Sequence, residues 1–314
     1  MPLMGNAVWG YLLSGAALLF FTATILLTKA ASNRINLSLG FLVATVVNVL
    51  FAGSALVLQL VLRGAGLQWN MPAFLLFALA GVFATYLGRW FFYESVARFG
   101  PAKASVFQVS SPLFTALIAW AVLGENLSRW TALGMLMAIS GLLLLAYKPG
   151  FFTRQKVSGD AVRKRFSTRV LHSVLLLGLC SSGAYAVGNV LRGAAVRSWP
   201  EPIAGALIGA IAGLALHLLL GTERSGLLQR LRAAPRNGVW LYAMVGVANI
   251  SGQMSTIASM RFIPLSVAAL VTLCTPLLVF PLSYWLFKNQ EALKASTLCG
   301  GALTLLGIGI VVLR

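Results

Sequence analysis

The stretch RFGPAKASVFQVSSPLFTALIAWAVLGENLSRWTALGMLMAISG, Arg98–Gly141, returns in altered form as RFIPLSVAALVTLCTPLLVFPLSYWLFKNQEALKASTLCGGALTLLG, Arg261–Gly307. Arg98-Phe99-Gly100-Pro101 matches Arg261-Phe262-Ile263-Pro264, and Pro112 matches Pro276. Glu125 is followed by Gly134 and Gly141, and Glu291 by Gly300 and Gly307, with the same spacings of nine and seven residues. Further out, Lys29 meets Arg192, each at the end of the first apolar run of its half. Apolar segments give isolated coincidences by chance, whereas an ordered set of matches marks a duplication. The second copy departs from the first: Glu291 lies fifteen residues after Pro276 and Glu125 thirteen after Pro112, so the turn after the ninth run is expected to be built differently.

Around this repeat the chain is apolar from end to end. It is 59% hydrophobic and 10% charged, whereas a soluble domain carries roughly 25% charge. A helix needs ~20 mostly apolar residues to cross ~30 Å of hydrocarbon. Ten runs free of Asp, Glu, Lys and Arg approach that length: Trp9–Thr28, Ile35–Leu62, Gly64–Gly88, Ala104–Gly124, Trp130–Tyr147, Val170–Leu191, Pro202–Thr222, Asn237–Met260, Phe262–Phe287 and Ala295–Leu313. A barrel would show short alternating strands, and none occurs. The sequence therefore predicts an all-α integral membrane protein of ten transmembrane helices. Residues 1–147 form a first five-helix repeat, 148–169 a basic linker, and 170–314 a second five-helix repeat. Five is odd, so the second copy enters the membrane from the opposite side and the repeats are inverted. Secondary transporters use that arrangement to expose one midplane site to either side in turn.

The formal charge of +18, from 24 Lys and Arg against 6 Asp and Glu, would suggest nucleic acid in a soluble chain. Here the basic residues fall in short connections and no cluster joins an aqueous module, which argues against a nucleic-acid partner. Seventeen lie in the connections after odd-numbered runs, the linker included, and six on the other face, Arg192 and Arg197 among them. The positive-inside rule then places the linker in the cytoplasm and both termini outside. No basic segment precedes the first run and no cleavage pattern follows it, so it reads as a retained helix.

A basic residue and proline before the fourth run, a proline within it, and Glu-x8-Gly-x6-Gly in both halves resemble the EamA-type repeats of the drug/metabolite transporter superfamily. The resemblance covers essentially the whole chain. It implies a ten-helix exporter of amino acids or metabolites whose helices one, three, four, six, eight and nine line a central path. The first helix holds no acid, so the glutamate with which the small multidrug members of that superfamily exchange protons for cations is missing.

The candidate path residues are polar groups in the runs. Proline within a helix frees the carbonyl four residues earlier: Pro112 frees Gln108, beside Ser110 and Ser111, and Pro276 frees Thr272, beside Thr275. In hydrocarbon such a carbonyl must face protein, water or a solute, so the two kinks either line a cavity or are satisfied by neighbouring helices. Tyr86, Tyr185, Asn189, Asn249 and Gln253 lie near mid-span and bind either a solute or another helix. Arg89 is a contact for a substrate carboxylate or a side chain that snorkels to the nearby interface; Glu94 has Arg98 one turn away. His217 relays protons or is simply hydrogen-bonded, and Gly205, Gly209 and Gly213 pack a helix closely, within the protomer or in a dimer.

These residues point to a secondary transporter that moves a small polar metabolite, an amino acid or related carboxylate, across the inner membrane by alternating access in the direction of export. The alternatives are a membrane-embedded enzyme or lipid scramblase, and a non-transporting subunit of a membrane complex. An enzyme would need paired acids, a metal cluster or a nucleophile with a base; all six acids lie at run ends or in loops, and His172 and His217 are far apart. The expected partners are a small-molecule substrate and the bilayer, as a monomer or homodimer. No cofactor or metal is expected, and Cys180, Cys274 and Cys299 are apolar fillers.

Overall fold

The structure, a computed structural model, describes residues 2–32, 34–35, 37–92, 111–125, 128–146, 174–220, 231, 233–287 and 295–313. All the regular structure among them is helical. In chain order the helices are α1 (Pro2–Ser32), α2 (Leu37–Arg63), α3 (Met71–Phe92), α4 (Ser111–Leu123), α5 (Arg129–Ala146), α6 (Val174–Ser198), α7 (Pro202–Leu220), α8 (Arg236–Ser259), α9 (Leu265–Leu273 and Thr275–Phe287) and α10 (Ala295–Leu313). Each falls on one of the ten apolar runs. Four stretches, Ala7–Ala31, Leu39–Arg63, Met71–Phe92 and Pro202–Leu220, are by length and hydropathy sufficient to cross a bilayer.

Local chemistry sets the ends. Gly64 and Gly124 stop α2 and α4 in the left-handed conformation, with φ of 64° and 63°, which only glycine adopts without a Cβ penalty. Asn70 caps α3, its side chain accepting from the Ala73 N–H at 3.1 Å, so this helix begins at Met71 and not at Gly64 as the apolar run suggested. A larger correction concerns α6. The run ended at Leu191, but the helix continues through Arg192 and Arg197 to Ser198, and Trp199-Pro200 ends it.

The helices pair in reciprocal sets. α1 lies along α8 and α6 along α3; α2 packs on α8 and α7 on α3; α9 touches α1 and α4 touches α6. Further pairs are α5 with α10, α2 with α7 and α4 with α9, and α7 also packs on α8. Exchanging the first five helices for the last five turns the first nine of these pairs into one another; among the described residues the contact of α7 with α8 has no counterpart between α2 and α3.

The motif glycines explain the α5–α10 pair. A Cβ on Gly141 would lie 2.6 Å from the Gly300 carbonyl oxygen, and one on Gly307 would lie 2.5 Å from that of Gly134. Each motif's second glycine therefore sits on the other motif's first. Without side chains there, two backbones approach closely enough for dispersion contacts to hold them where no hydrophobic drive acts between helices. Gly81 of α3 likewise meets Gly209 of α7, Gly205 packs on Phe77 and Gly213 on Thr85. The small-residue face of α7 is thus used within the protomer.

Candidate functional site

The site is assembled where α3, α6 and α8 meet. Residues Gly81–Gly88 of α3 form a π-helical segment, in which each hydrogen bond spans one residue more than in an α-helix; such segments are frequent at functional sites. Its last glycine, Gly88, and Gly188 of α6 let the two helices approach. A Cβ on Gly88 would be 3.1 Å from the Tyr185 ring, and one on Gly188 would be 3.0 Å from the Ala84 nitrogen. The Ser181 hydroxyl donates to the Gly88 carbonyl at 2.9 Å. This close approach carries Tyr185 and Arg192 of α6 to Thr85 and Arg89 of α3.

Arg192 is the centre of the group. It is 8% exposed, and its Nη2 donates to Gln253 Oε1 of α8 at 2.9 Å and to Thr85 Oγ1 at 3.5 Å. Tyr185 stands beside Arg89 and Arg192, both of whose charges act on its phenol. Arg89 also stacks on Phe41 of α2, its Cζ 4.8 Å from the ring centre, and Phe41 meets the edge of His217 of α7 at 5.0 Å. Thus two guanidiniums stand beside one phenol inside the helix bundle, and among the described residues neither is paired with a carboxylate.

The contrast with the end of the bundle near Trp199 is sharp. There Arg63 pairs with Glu201, which also accepts from Gln59 Nε2 at 2.9 Å. Arg197 pairs with Glu125, whose carboxylate also accepts from the Leu265 N–H at 2.9 Å and the Ser266 hydroxyl at 3.1 Å. Both glutamates are buried, at 9% and 6% exposure for Glu125 and Glu201.

The predicted site residues separate into three groups. Arg89, Tyr185 and Gln253 are brought together, and Asn189 is half-buried on the face of α6 that they share, one turn from both Tyr185 and Arg192. Tyr86 is half-buried on the π segment. Asn249 belongs to another contact: with the Asn48 amide turned so that its nitrogen donates to the Gly246 and Ala44 carbonyls, Asn48 oxygen accepts from Asn249 Nδ2 at 3.0 Å. At the α9 break, which falls at Cys274, the Thr275 hydroxyl donates to the Thr272 carbonyl at 2.6 Å, so the carbonyl freed by Pro276 has a partner in its own helix. Thr272 donates back to Ala268 and Ala269 at 3.0 and 3.1 Å. Ser111 and Pro112 are buried at the start of α4. Gln108, Ser110, Glu94, Arg98, Lys103, His172 and Glu291 lie outside the described residues.

Sequence reasoning missed Arg192, Thr85 and Asn48. Charge delimits the apolar runs, so Arg192 falls at the end of a span in the sequence; the apolar Gly193-Ala194-Ala195-Val196 beyond it is the signal that the helix goes on. Its match to Lys29 does not extend to environment, since Lys29 is exposed in the last turn of α1. Two further polar groups were invisible as single hydroxyls: Ser14 of α1 and Thr115 of α4 are fully buried with no hydrogen-bond partner. Among the described residues no group of His, Cys, Asp and Glu is placed to hold a metal.

Comparison with known proteins gives a family match over part of the chain and a fold. The EamA-like transporter family matches residues 8–147. None of the curated proteins matches the sequence. A solved structure described as "Crystal structure of protein" is similar with a TM-score of 0.69 and 16% sequence identity, over 97% of this chain and 97% of that one. At that identity the likeness shows a shared fold.

Proposed function

We propose that the chain, whose residues 8–147 match the EamA-like transporter family, is a multi-pass membrane transporter of the drug/metabolite type and carries a small polar metabolite, an amino acid or related carboxylate, across an inner membrane by alternating access, in the direction of export. The observation that carries this reading is the reciprocal packing of the two halves. A set of helix pairs that maps onto itself when the halves are exchanged is what two inverted copies would produce, and the crossed contacts of Gly141 with Gly300 and Gly307 with Gly134 support the same relation. Inverted copies can adopt two mirror-related arrangements about one central site, which is the basis of alternating access.

The polar group of Arg89, Tyr185, Asn189, Arg192 and Gln253 is the solute site in this reading. Ser14, Ser111 and Thr115 supply hydroxyls along the path. The kinks at Pro112 and Pro276 let α4 and α9 bend, and Thr275 keeps the second bend from leaving a bare carbonyl in hydrocarbon. The linker, residues 148–169, is cytoplasmic and both termini are outside, following the charge bias.

The test is a proteoliposome uptake screen over amino acids, organic acids, sugars and cationic dyes, with and without a pH gradient. Saturable flux of a small polar solute is expected. No flux above empty liposomes for any class, from protein shown to be folded, would end the proposal. A reporter fused to the C-terminus and found in the cytoplasm would reverse the orientation.

A further inference from the structure

Arg192 and Arg89 raise a question of charge that the transporter reading leaves open. A guanidinium has five N–H donors and never loses its proton. Arg192 spends Nη2 on two neutral acceptors, Gln253 and Thr85, which leaves its Nη1 and Nε donors without a protein acceptor among the described residues. Arg89 adds a second positive charge beside the same phenol, that of Tyr185, and is held from the other side by the face of Phe41. Neither Gln253 nor Thr85 nor Phe41 neutralises anything.

A buried, unpaired charge is costly, and two that repel each other are costlier. The two described glutamates are both spent on arginines at the end of the bundle, in Arg63–Glu201 and Arg197–Glu125. Among the described residues no acid is placed beside Arg192 or Arg89, which marks a site whose negative partner comes with the ligand. A zwitterion brings one carboxylate and one ammonium, so it cancels no net charge and sets its cation against two guanidiniums. A solute with two negative charges satisfies both.

We propose that the Arg192–Tyr185–Arg89 group is an oxyanion site and that the substrate is a small dianion, a dicarboxylate or a phosphorylated metabolite, with Arg192 as its principal anchor and Arg89 as its second. This rests on the transporter reading for the word substrate, but the binding it describes does not require flux. The planar fork of Arg192 suits carboxylate and phosphate alike, and the phenol of Tyr185 donates to either.

The experiment measures thermal stability of the full chain in detergent against increasing succinate, inorganic phosphate, glutamine or sorbitol, in wild type and in Arg192→Gln, Arg192→Lys and Arg89→Gln. Saturable stabilisation by succinate or phosphate is expected, and which of the two acts identifies the oxyanion. Arg192→Gln should weaken it about tenfold or more, the loss of one charge-assisted bond, Arg192→Lys and Arg89→Gln by less. If Arg192→Gln does not fold, the other two variants carry the comparison. Stabilisation by glutamine or sorbitol with none from either dianion, or dianion binding unchanged in all three variants, overturns the inference. Dianion binding without flux in liposomes would remove the transporter reading and keep the site; amino-acid flux without dianion binding would do the reverse.

Discussion

The carboxylate of Glu125, at the end of α4, accepts the backbone N–H of Leu265, the first residue of α9, at 2.9 Å. The bond joins the two halves of the sequence at the end of the bundle near Trp199. It places an anion where the N–H groups of a helix start are unsatisfied and its dipole is positive, and Arg197 balances the charge. Gly124, left-handed at φ 63°, turns the chain so that Glu125 reaches back.

Glu125→Ala should therefore cost stability beyond the ion pair alone, because the Leu265 N–H and the Ser266 hydroxyl lose their acceptor in a buried setting. About 2–3 kcal/mol is expected. Glu125→Gln keeps an acceptor and should lose roughly half as much. Thermal denaturation followed by tryptophan fluorescence gives the order wild type, Gln, Ala; a Gln variant as weak as Ala would show that charge and not hydrogen bonding holds the joint.

Gly307 and Gly309 of α10 make a paired test of the reciprocal glycine contacts. A Cβ at Gly307 meets the Ala138 nitrogen at 2.5 Å, whereas at Gly309 nothing lies within 4 Å. Gly307→Ala must push α5 and α10 apart, at a cost of roughly 1–3 kcal/mol. Gly309→Ala should be neutral or slightly stabilising, since alanine is the better helix former. Equal melting temperatures for the two variants would contradict the packing described.

Thr275 and Pro276 should behave as a pair. Thr275→Val strips the Thr272 carbonyl of its hydroxyl partner and should destabilise by about 1 kcal/mol. In Pro276→Ala the restored backbone N–H can take that carbonyl, so adding Thr275→Val on that background should cost almost nothing. A double-mutant cycle on melting temperature reads the coupling; additive effects would mean that the hydroxyl serves some other atom.

Asn48 and Asn249 are the fourth case. Their bond across α2 and α8 predicts a coupling of about 0.6 kcal/mol, the usual strength of such contacts between membrane helices, measured by the cycle Asn48→Ala, Asn249→Ala and both. No coupling would release Asn249 from the helix contact.

Much of the fold was legible because it follows from hydropathy and repetition. All ten helices fall on apolar runs, and the Glu-x8-Gly-x6-Gly spacing pointed to the glycines that cross at α5 and α10. The site was legible in part. Tyr185, Arg89 and Gln253 stood out as polar residues in apolar runs, but Arg192, which holds Gln253, was read as the edge of a span. A rule that ends a helix at a charge fails where the charge has been taken inside for a purpose. Asn48 and Thr85 were hidden for a different reason: a small polar side chain in a membrane helix commits itself only when its neighbour across the interface is known.

Alternating access at the α3–α6–α8 site is the central claim, and one measurement addresses it most directly. Asn189→Cys, in a chain whose native Cys180, Cys274 and Cys299 are replaced by alanine, is labelled in oriented vesicles with a membrane-impermeant thiol reagent added to one side or the other. The account predicts labelling from both sides, slowed by a solute that binds. Labelling from a single side, or from neither, in a variant that still folds would contradict it.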